Sequence, residues 1–360
     1  MPSLKEIKGR INSISSTLAI TSAMKMVAAA KLQKAQMAIQ NMLPYERRLY
    51  SMLVDLMGAM NISAAASEDG SVRGSGSAER GFDQSGDRLS LSNRHDLAGM
   101  DGAYSLMAQR EVRKVAIVAF ASNSSLCGAF NSNAIREATA VINEYRASGL
   151  GDADITVYSV GRKMAEAMRK LGFPSPADFT KMSDSPSYDA ASALAQELFD
   201  GFVSGRFDKV ELVYNHYKST SSQPTTRQTY LPLSLADATA DIQVGKITDS
   251  ASESDTNRGA EPVGAPVVRQ GSPTTETPDL IVEPSKEELI VTLLPKVVRL
   301  RVFTTLLDST AAEQAARTVA MQLATDNGND LLQELTLEYN KGRQQKITSE
   351  ILDLVGGSMQ

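Results

Sequence analysis

Cys127 is the single thiol of the chain, and it stands in the loop Ser122-Asn-Ser-Ser-Leu-Cys127-Gly-Ala-Phe-Asn131, directly after an apolar run. A thiol so placed does nucleophilic chemistry when a base lies close enough to take its proton. The chain offers two histidines for that task. His95 falls in a Gly/Ser-rich stretch, whereas His216 ends a later apolar run and can approach the Cys127 loop from there. A small thiol beside Gly128 is also an ordinary packing residue, and packing is the reading preferred here. Ser124 and Ser125 lack the G-x-S-x-G setting of a nucleophile elbow. No G-x-x-x-x-G-K-[ST] loop occurs, no G-x-G-x-x-G follows a strand, and the Cys127 loop has only Gly128 where a dinucleotide needs close backbone approach. Asp326, Asn329 and Asp330 cluster on one helical stretch, without the Gly turn and terminal Glu of a calcium loop. A single Cys and two His also exclude a disulfide framework and a Cys- or His-rich zinc site. The expectation is a chain with no catalytic residue, no cofactor and no metal of its own.

The elements that would position such residues are uneven along the 360 residues. Stepping alternately by three and four from Leu4 passes through Ile7, Ile11, Ile14, Leu18, Thr21, Lys25, Ala28, Leu32, Ala35, Ile39, Met42, Glu46, Leu49, Leu53, Leu56 and Met60. Only Thr21, Lys25 and Glu46 are not apolar, and a stripe held this long is a coiled-coil seam. At 1.5 Å per residue the stretch from 4 to 60 spans roughly 85 Å, more than a compact domain covers, so the helix must project. Pro44 inside it predicts a kink. The other end mirrors this one. From about Glu287 to Leu354 helix formers dominate, no proline follows Pro295, and Ala311, Ala312, Ala315, Ala316, Ala320 and Ala324 leave room for a close neighbour. Gly328 and Gly342 read as soft points and Gly356-Gly357 as a fraying end.

Between the helices the texture changes. Val115–Phe120, Ile155–Val160 and Val210–Tyr217 read as strands, with Gln228–Leu233 a possible fourth; Asn131–Arg146, Arg162–Leu171 and Tyr188–Val203 read as helices. That alternation predicts a small parallel sheet. The fold class is α/β: a long antiparallel two-helix coiled coil from the N- and C-termini plus a small Rossmann-like parallel-sheet domain. Its parts are an N-terminal coiled-coil helix (1–60), a flexible insertion (61–110), the α/β domain (111–235), a second Ser/Thr/Pro/Gly-rich insertion or linker (236–285) and a C-terminal coiled-coil helix (286–360).

Charge and composition narrow the function class. A net charge of −5 argues against a general nucleic-acid binder, and no apolar run approaches the roughly 20 residues of a membrane span. The opening Met-Pro-Ser-Leu-Lys-Glu-Ile-Lys has neither a secretory core nor a mitochondrial presequence, so a cytosolic, bacterial chain is expected. Lys5, Lys8, Arg10, Lys25, Lys31 and Lys34 face the lone acid Glu6 across residues 5–34, a stripe that is either solvated or meets an acidic protein surface.

Three segments resemble the gamma subunits of F-type rotary ATP synthases. The first is Ile20-Thr-Ser-Ala-Met-Lys-Met-Val-Ala-Ala-Ala-Lys31, and the second is Leu126-Cys-Gly-Ala-Phe-Asn131. The third is the run Ala315-Ala-Arg-Thr-Val-Ala-Met321, Ala324-Thr-Asp-Asn327, Leu335-Thr-Leu-Glu-Tyr-Asn340 and Arg343-Gln-Gln-Lys-Ile-Thr-Ser-Glu350. The family loop usually begins Asp-Arg-Gly, where this chain has Asn123-Ser-Ser. Both insertions exceed the common bacterial length, and one cysteine excludes the redox pair of chloroplast members. The resemblance implies a central-stalk rotor subunit that transmits c-ring rotation to the catalytic sites of an alpha3beta3 hexamer, with the epsilon subunit and the c-ring at its foot. It would sit peripherally on the cytoplasmic face of the bacterial inner membrane, without inserting. It also implies that Met24 and Lys25 meet the acidic catch loop of beta, and that Arg317, Arg343, Gln344, Thr348 and Glu350 face the surrounding subunits. Lys25 either occupies the seam as a charge or is solvated by a local rotation of the coil. The competing reading is a cytosolic coiled-coil scaffold.

Overall fold

The structure, a computed structural model, describes residues 3–59, 106, 110–233, 283 and 286–357. In chain order the elements are α1 (Leu4–Ala59), β1 (Val115–Phe120), α2 (Phe130–Ala147), a 3-10 turn (Asp152–Asp154), β2 (Ile155–Val160), α3 (Arg162–Lys170), α4 (Thr180–Asp184), α5 (Tyr188–Val203), β3 (Lys209–Asn215), β4 (Thr225–Leu231) and α6 (Lys286–Gly357). No helix among the described residues is long and apolar enough to cross a membrane.

The sheet is ordered β2-β1-β3-β4, with β1 parallel to both neighbours and β4 antiparallel to β3. The expected parallel sheet is present in β2-β1-β3, and the possible fourth strand, β4, adds an antiparallel edge. The segment between β3 and β4 is too short for a crossover helix, so the chain can only turn back as a hairpin. β1 is buried along its whole length, as a central strand covered on both faces must be. Its alternate residues serve two cores. Val115, Ile117 and Ala119 pack with α2 and α3 through Ala134, Val141, Ile142, Met164 and Met168. Ala116, Val118 and Phe120 pack with α5, the end of α1 and the first half of α6 through Leu198, Phe202, Leu53, Leu294, Val298 and Val302. The turn from β2 into α3 passes so close to β1 that a Cβ on Gly161, at φ +100°, would lie 2.0 Å from the Ala121 carbonyl oxygen. Only glycine fits there. On the β3–β4 edge the buried carboxylate of Glu211 accepts from Tyr145 Oη (2.5 Å), Arg227 Nε (2.6 Å) and Lys209 Nζ (2.7 Å). Burial pushes that carboxyl up, but these three donors outweigh it and hold Glu211 below the usual range.

The segments 61–110 and 236–285, expected as insertions, lie almost wholly outside the described residues, and His95 with them. Two described residues of the first are firmly packed. Leu106 is fully buried and its carbonyl accepts from Leu233 N at 2.9 Å. Arg110 donates to the Phe202 carbonyl at 3.2 Å and lies over the Phe202 ring.

α1 runs unbroken through Pro44 and α6 through Pro295. At 1.5 Å per residue, 72 residues make α6 about 108 Å long. The seam expected from the 3-4 stripe is present: every described member, from Leu4 to Leu56, is buried or half-buried. The two helices run antiparallel in one steady register. Leu4 faces Gly342, Leu18 faces Gly328, and Thr325 Oγ1 donates to Thr21 Oγ1 at 3.1 Å. The two glycines read as soft points are thus contact points. A Cβ on Gly328 would stand 2.6 Å from Leu18 Cδ2 and one on Gly342 3.1 Å from Leu4 Cδ2, so their bare backbones let the helices close. The acid in the seam is answered too: Glu46, 5% exposed, accepts from Arg301 Nη1 at 3.2 Å, and that guanidinium lies over Tyr50.

Candidate functional site

Two places on this scaffold bear on function: the mouth of the sheet domain, where the coil leaves it, and the far end of α6.

At the mouth, the Cys127 loop and the end of β3 both press on α6. The loop is tightly wound, with Leu126 at φ 68° and Gly128 at φ 58°. Asn131 Oδ1 accepts from the Ser122 amide at 3.0 Å, and Asn131 Nδ2 donates to Cys127 Sγ at 3.1 Å. Cys127 itself is 2% exposed and packs with Phe130 and Ala312. His216, the base it would need, is engaged elsewhere: its Nδ1 pairs with Asp308 Oδ2 at 2.6 Å. That hydrogen bond holds the His216 imidazolium above its ordinary pKa, against burial and the neighbouring Lys218. The arrangement supports the packing role for Cys127.

Arg317, expected to face a partner subunit, is turned inward. Only 9% exposed, it donates Nη1 to Glu313 Oε1 at 2.7 Å and Nη2 to Ser124 Oγ at 2.8 Å. The Ser124 hydroxyl thus receives α6 at the start of the Cys127 loop. Burial raises the Glu313 carboxyl above its usual range, and Arg317 offsets part of that. Above the mouth, Lys25 keeps its place in the seam, half-buried like Met24 and one turn from buried Ala28. The other cations of the stripe, Lys5, Lys8, Arg10, Lys31 and Lys34, are exposed, and Arg10 pairs with Glu6 at 2.9 Å.

The far end of α6 is the reverse case. From Met321 upward its covered positions are Met321, Gln322, Thr325, Gly328, Leu332, Leu335, Tyr339 and Gly342. All but Gln322 follow the 3-4 spacing of the seam. Beyond Gly342 α1 has ended, and every described side chain from Arg343 to Leu354 is exposed. Arg343, Gln344, Thr348 and Glu350 all lie on this overhang. Thr348 Oγ1 bonds back to the Gln344 carbonyl at 2.9 Å, and Lys346 pairs with Glu350 at 3.7 Å. The same stretch exposes Ile347, Ile351, Leu352 and Leu354, the last 75% accessible. About 22 Å of single helix thus carries a mixed apolar and charged surface past the end of its partner.

Sequence reasoning missed Asp308, Glu313 and Tyr217 at the mouth. The Tyr217 amide donates to Asp308 Oδ1 at 2.8 Å and its hydroxyl accepts from Gln36 Nε2 at 2.6 Å. These contacts join residues 91 and 181 positions apart, so no local pattern announces them.

Known proteins agree with this architecture from end to end. Residues 3–359 match the family model described as ATP synthase. The chain is 46% identical over 359 residues to the ATP synthase gamma chain of Phocaeicola vulgatus, covering 100% of both. It is 44% identical over 360 residues to the gamma chain of Bacteroides thetaiotaomicron, again covering 100% of both. Among solved structures, a chain of the Euglena gracilis mitochondrial ATP synthase (OSCP/F1/c-ring, rotational state 3) shares the fold at a TM-score of 0.52 and 18% identity, over 99% of this chain and 93% of that one. With the likeness running through both long helices and the sheet between them, the chain belongs to the gamma-chain family of ATP synthases.

Proposed function

We propose that this chain is the central-stalk rotor of an F-type ATP synthase. The coil stands inside the alpha3beta3 hexamer, and the sheet domain rests at its foot against epsilon and the c-ring. Ion flow turns the ring, the coil turns with it, and its uneven sides drive each beta subunit through its states. The chain carries no catalytic residue, because the chemistry belongs to the alpha–beta interfaces. It is peripheral, on the cytoplasmic face of the inner membrane.

The observation that carries this reading is the overhang of α6. Leu352 and Leu354 on a lone projecting helix leave apolar surface that water does not favour, so a surrounding protein wall is the fitting environment. Arg343, Gln344, Thr348 and Glu350 supply the polar part of that contact. Lower down, Met24 and Lys25 at the seam meet the acidic catch loop of beta. Arg317 acts differently from its neighbours in the motif, holding α6 to the Ser124 loop. Each shaft orientation shifts a beta subunit only by the difference in its contact energy with the two states. Small, sparsely charged side chains therefore suit a shaft that must also slide.

Removing the overhang from Ile347 tests this. The truncated chain should still assemble with alpha and beta, seen as an intact complex by native mass spectrometry, while ATP-driven ion transport per ATP falls. Complete loss of assembly would contradict a tip that orients without anchoring.

A further inference from the structure

The crossover from β1 through α2 to β2 covers one face of the sheet, and the path from β2 to β3 ends with α5 on the other. The two connections part at the carboxyl ends of β1 and β3. In open α/β sheets such a parting frames the crevice in which a ligand is ordinarily held. In this chain the crevice holds a helix. Ala312 and Ala316 of α6 pack there with Cys127 and Phe130 after β1, and with Tyr217 after β3.

Tyr217, just after β3, reaches both helices of the coil above the main core. It packs against the cluster of Leu32 and Ala35 of α1 with Ala311 and Ala315 of α6, and also against the Cys127–Phe130–Ala312 cluster. Its amide donates to Asp308 on α6 and its hydroxyl accepts from Gln36 on α1. The surroundings make this contact mechanically important. Below the mouth, α6 is held in the main core through its own Val297, Val298, Leu300, Val302 and Leu306. At the mouth its inward apolar residues are alanines, and the polar links of Arg317 to Ser124 and of His216 to Asp308 reach α6 alone. Contact between small apolar side chains resists rolling weakly, because it has no preferred direction, whereas a wedge with two directional hydrogen bonds resists it well.

We propose that the switch-point crevice is the torque joint of the rotor, with the Tyr217 side chain as a wedge that fixes the angle between coil and sheet domain by its packing and its bond to Gln36, while its backbone amide anchors the loop to Asp308. The proposal rests on the rotor reading above and adds the place where turning force passes from foot to shaft. Tyr217 is a positioning residue: it touches no nucleotide and acts through the setting of α1 and α6.

The test uses the whole ATP synthase assembled with this chain and reads ions transported per ATP hydrolysed. Tyr217→Ala should lower that ratio about threefold or more, the scale on which coupling residues act, and Tyr217→Phe should lower it less. A rescue arm separates coupling from folding. A Cβ on Gly128 would lie 3.9 Å from Ala320 Cβ, within the about 3.5–4.5 Å spanned by a disulfide. In a Cys127→Ser background, oxidising Gly128→Cys with Ala320→Cys should restore the ratio of Tyr217→Ala by stapling the joint. An unchanged ratio in Tyr217→Ala, or a loss that the formed disulfide leaves in place, overturns the proposal. Should Tyr217→Ala not assemble, Tyr217→Phe decides instead, and a ratio equal to that of the unaltered chain overturns the proposal. If the complex with the unaltered chain fails to assemble or transport ions, the rotor reading fails instead.

Discussion

The first and last thirds of α6 are one continuous helix with opposite fates. From Ile290 to Leu306 most of its large apolar residues are buried in the core of the sheet domain, among them Leu294, Val298 and Val302 at 1% exposure or less. From Arg343 to Leu354 the described side chains are all exposed, Leu354 at 75%. The first stretch is covered by its own chain and the second is not. A core residue answers to folding stability, whereas an exposed apolar residue on a projecting helix answers to a partner.

The largest expected effect lies in the buried stretch. Leu294→Ala should cost about 2–5 kcal/mol of folding stability, because it leaves a cavity in a closed core. Leu354→Ala should change it by less than about 0.5 kcal/mol. Urea unfolding of the isolated chain measures both, and equal costs would break the comparison.

Gly328 lies between these extremes. Alanine there gains helix propensity of about 1 kcal/mol, yet its Cβ meets Leu18 Cδ2 at 2.6 Å. Gly328→Ala should therefore destabilise by no more than about 2 kcal/mol, the overpacking cost less the propensity gain, and adding Leu18→Ala should relieve the clash. A double variant no better than the single would mean that the close approach is unimportant.

A smaller effect, under about 1 kcal/mol for a half-exposed pair, belongs to His216 and Asp308. The folded His216 has its pKa raised by the Asp308 hydrogen bond. Its contribution is thus fully present below the ordinary histidine pKa of about 6.5 and lost as pH rises through the raised folded value. The stability gap between the unaltered chain and His216→Ala should narrow as pH rises from the acid side into that window. A gap independent of pH would remove the charged pair from the account. Smallest of all, Lys346→Ala should leave folding unchanged within about 0.5 kcal/mol, since Lys346 and Glu350 are well exposed.

Much of this was legible in the residues. The 3-4 stripe from Leu4 to Leu56 is periodic enough to announce a coil, and the apolar runs at Val115 and Ile155 coincide with β1 and β2 because buried parallel strands read as unbroken apolar runs. Local pattern fails where contact is distant or the element is short. The five residues of α4 are too few to display a period, and the antiparallel setting of β4 depends on the length of its connection. Gly328 looks like a weakness until Leu18, far away in the chain, is seen to occupy the space. At the candidate site the difference is sharper. Arg343, Gln344, Thr348 and Glu350 fall on the exposed overhang, whereas Arg317, from the same motif, is drawn inward by Ser124 and Glu313. Motif position alone does not tell a surface arginine from a buried one. Tyr217 carried no signal at all, because its meaning lies in helices that arrive from both ends of the chain.

The central claim is that the chain turns as a body inside a fixed ring. It is tested most directly by fixing alpha3beta3 to a surface, attaching a bead to the sheet domain through Lys170→Cys in a Cys127→Ser background, and adding ATP. The account predicts sustained rotation of the bead in one direction, slowed as ATP is withdrawn. A bead that stays still while the attached complexes hydrolyse ATP would contradict it.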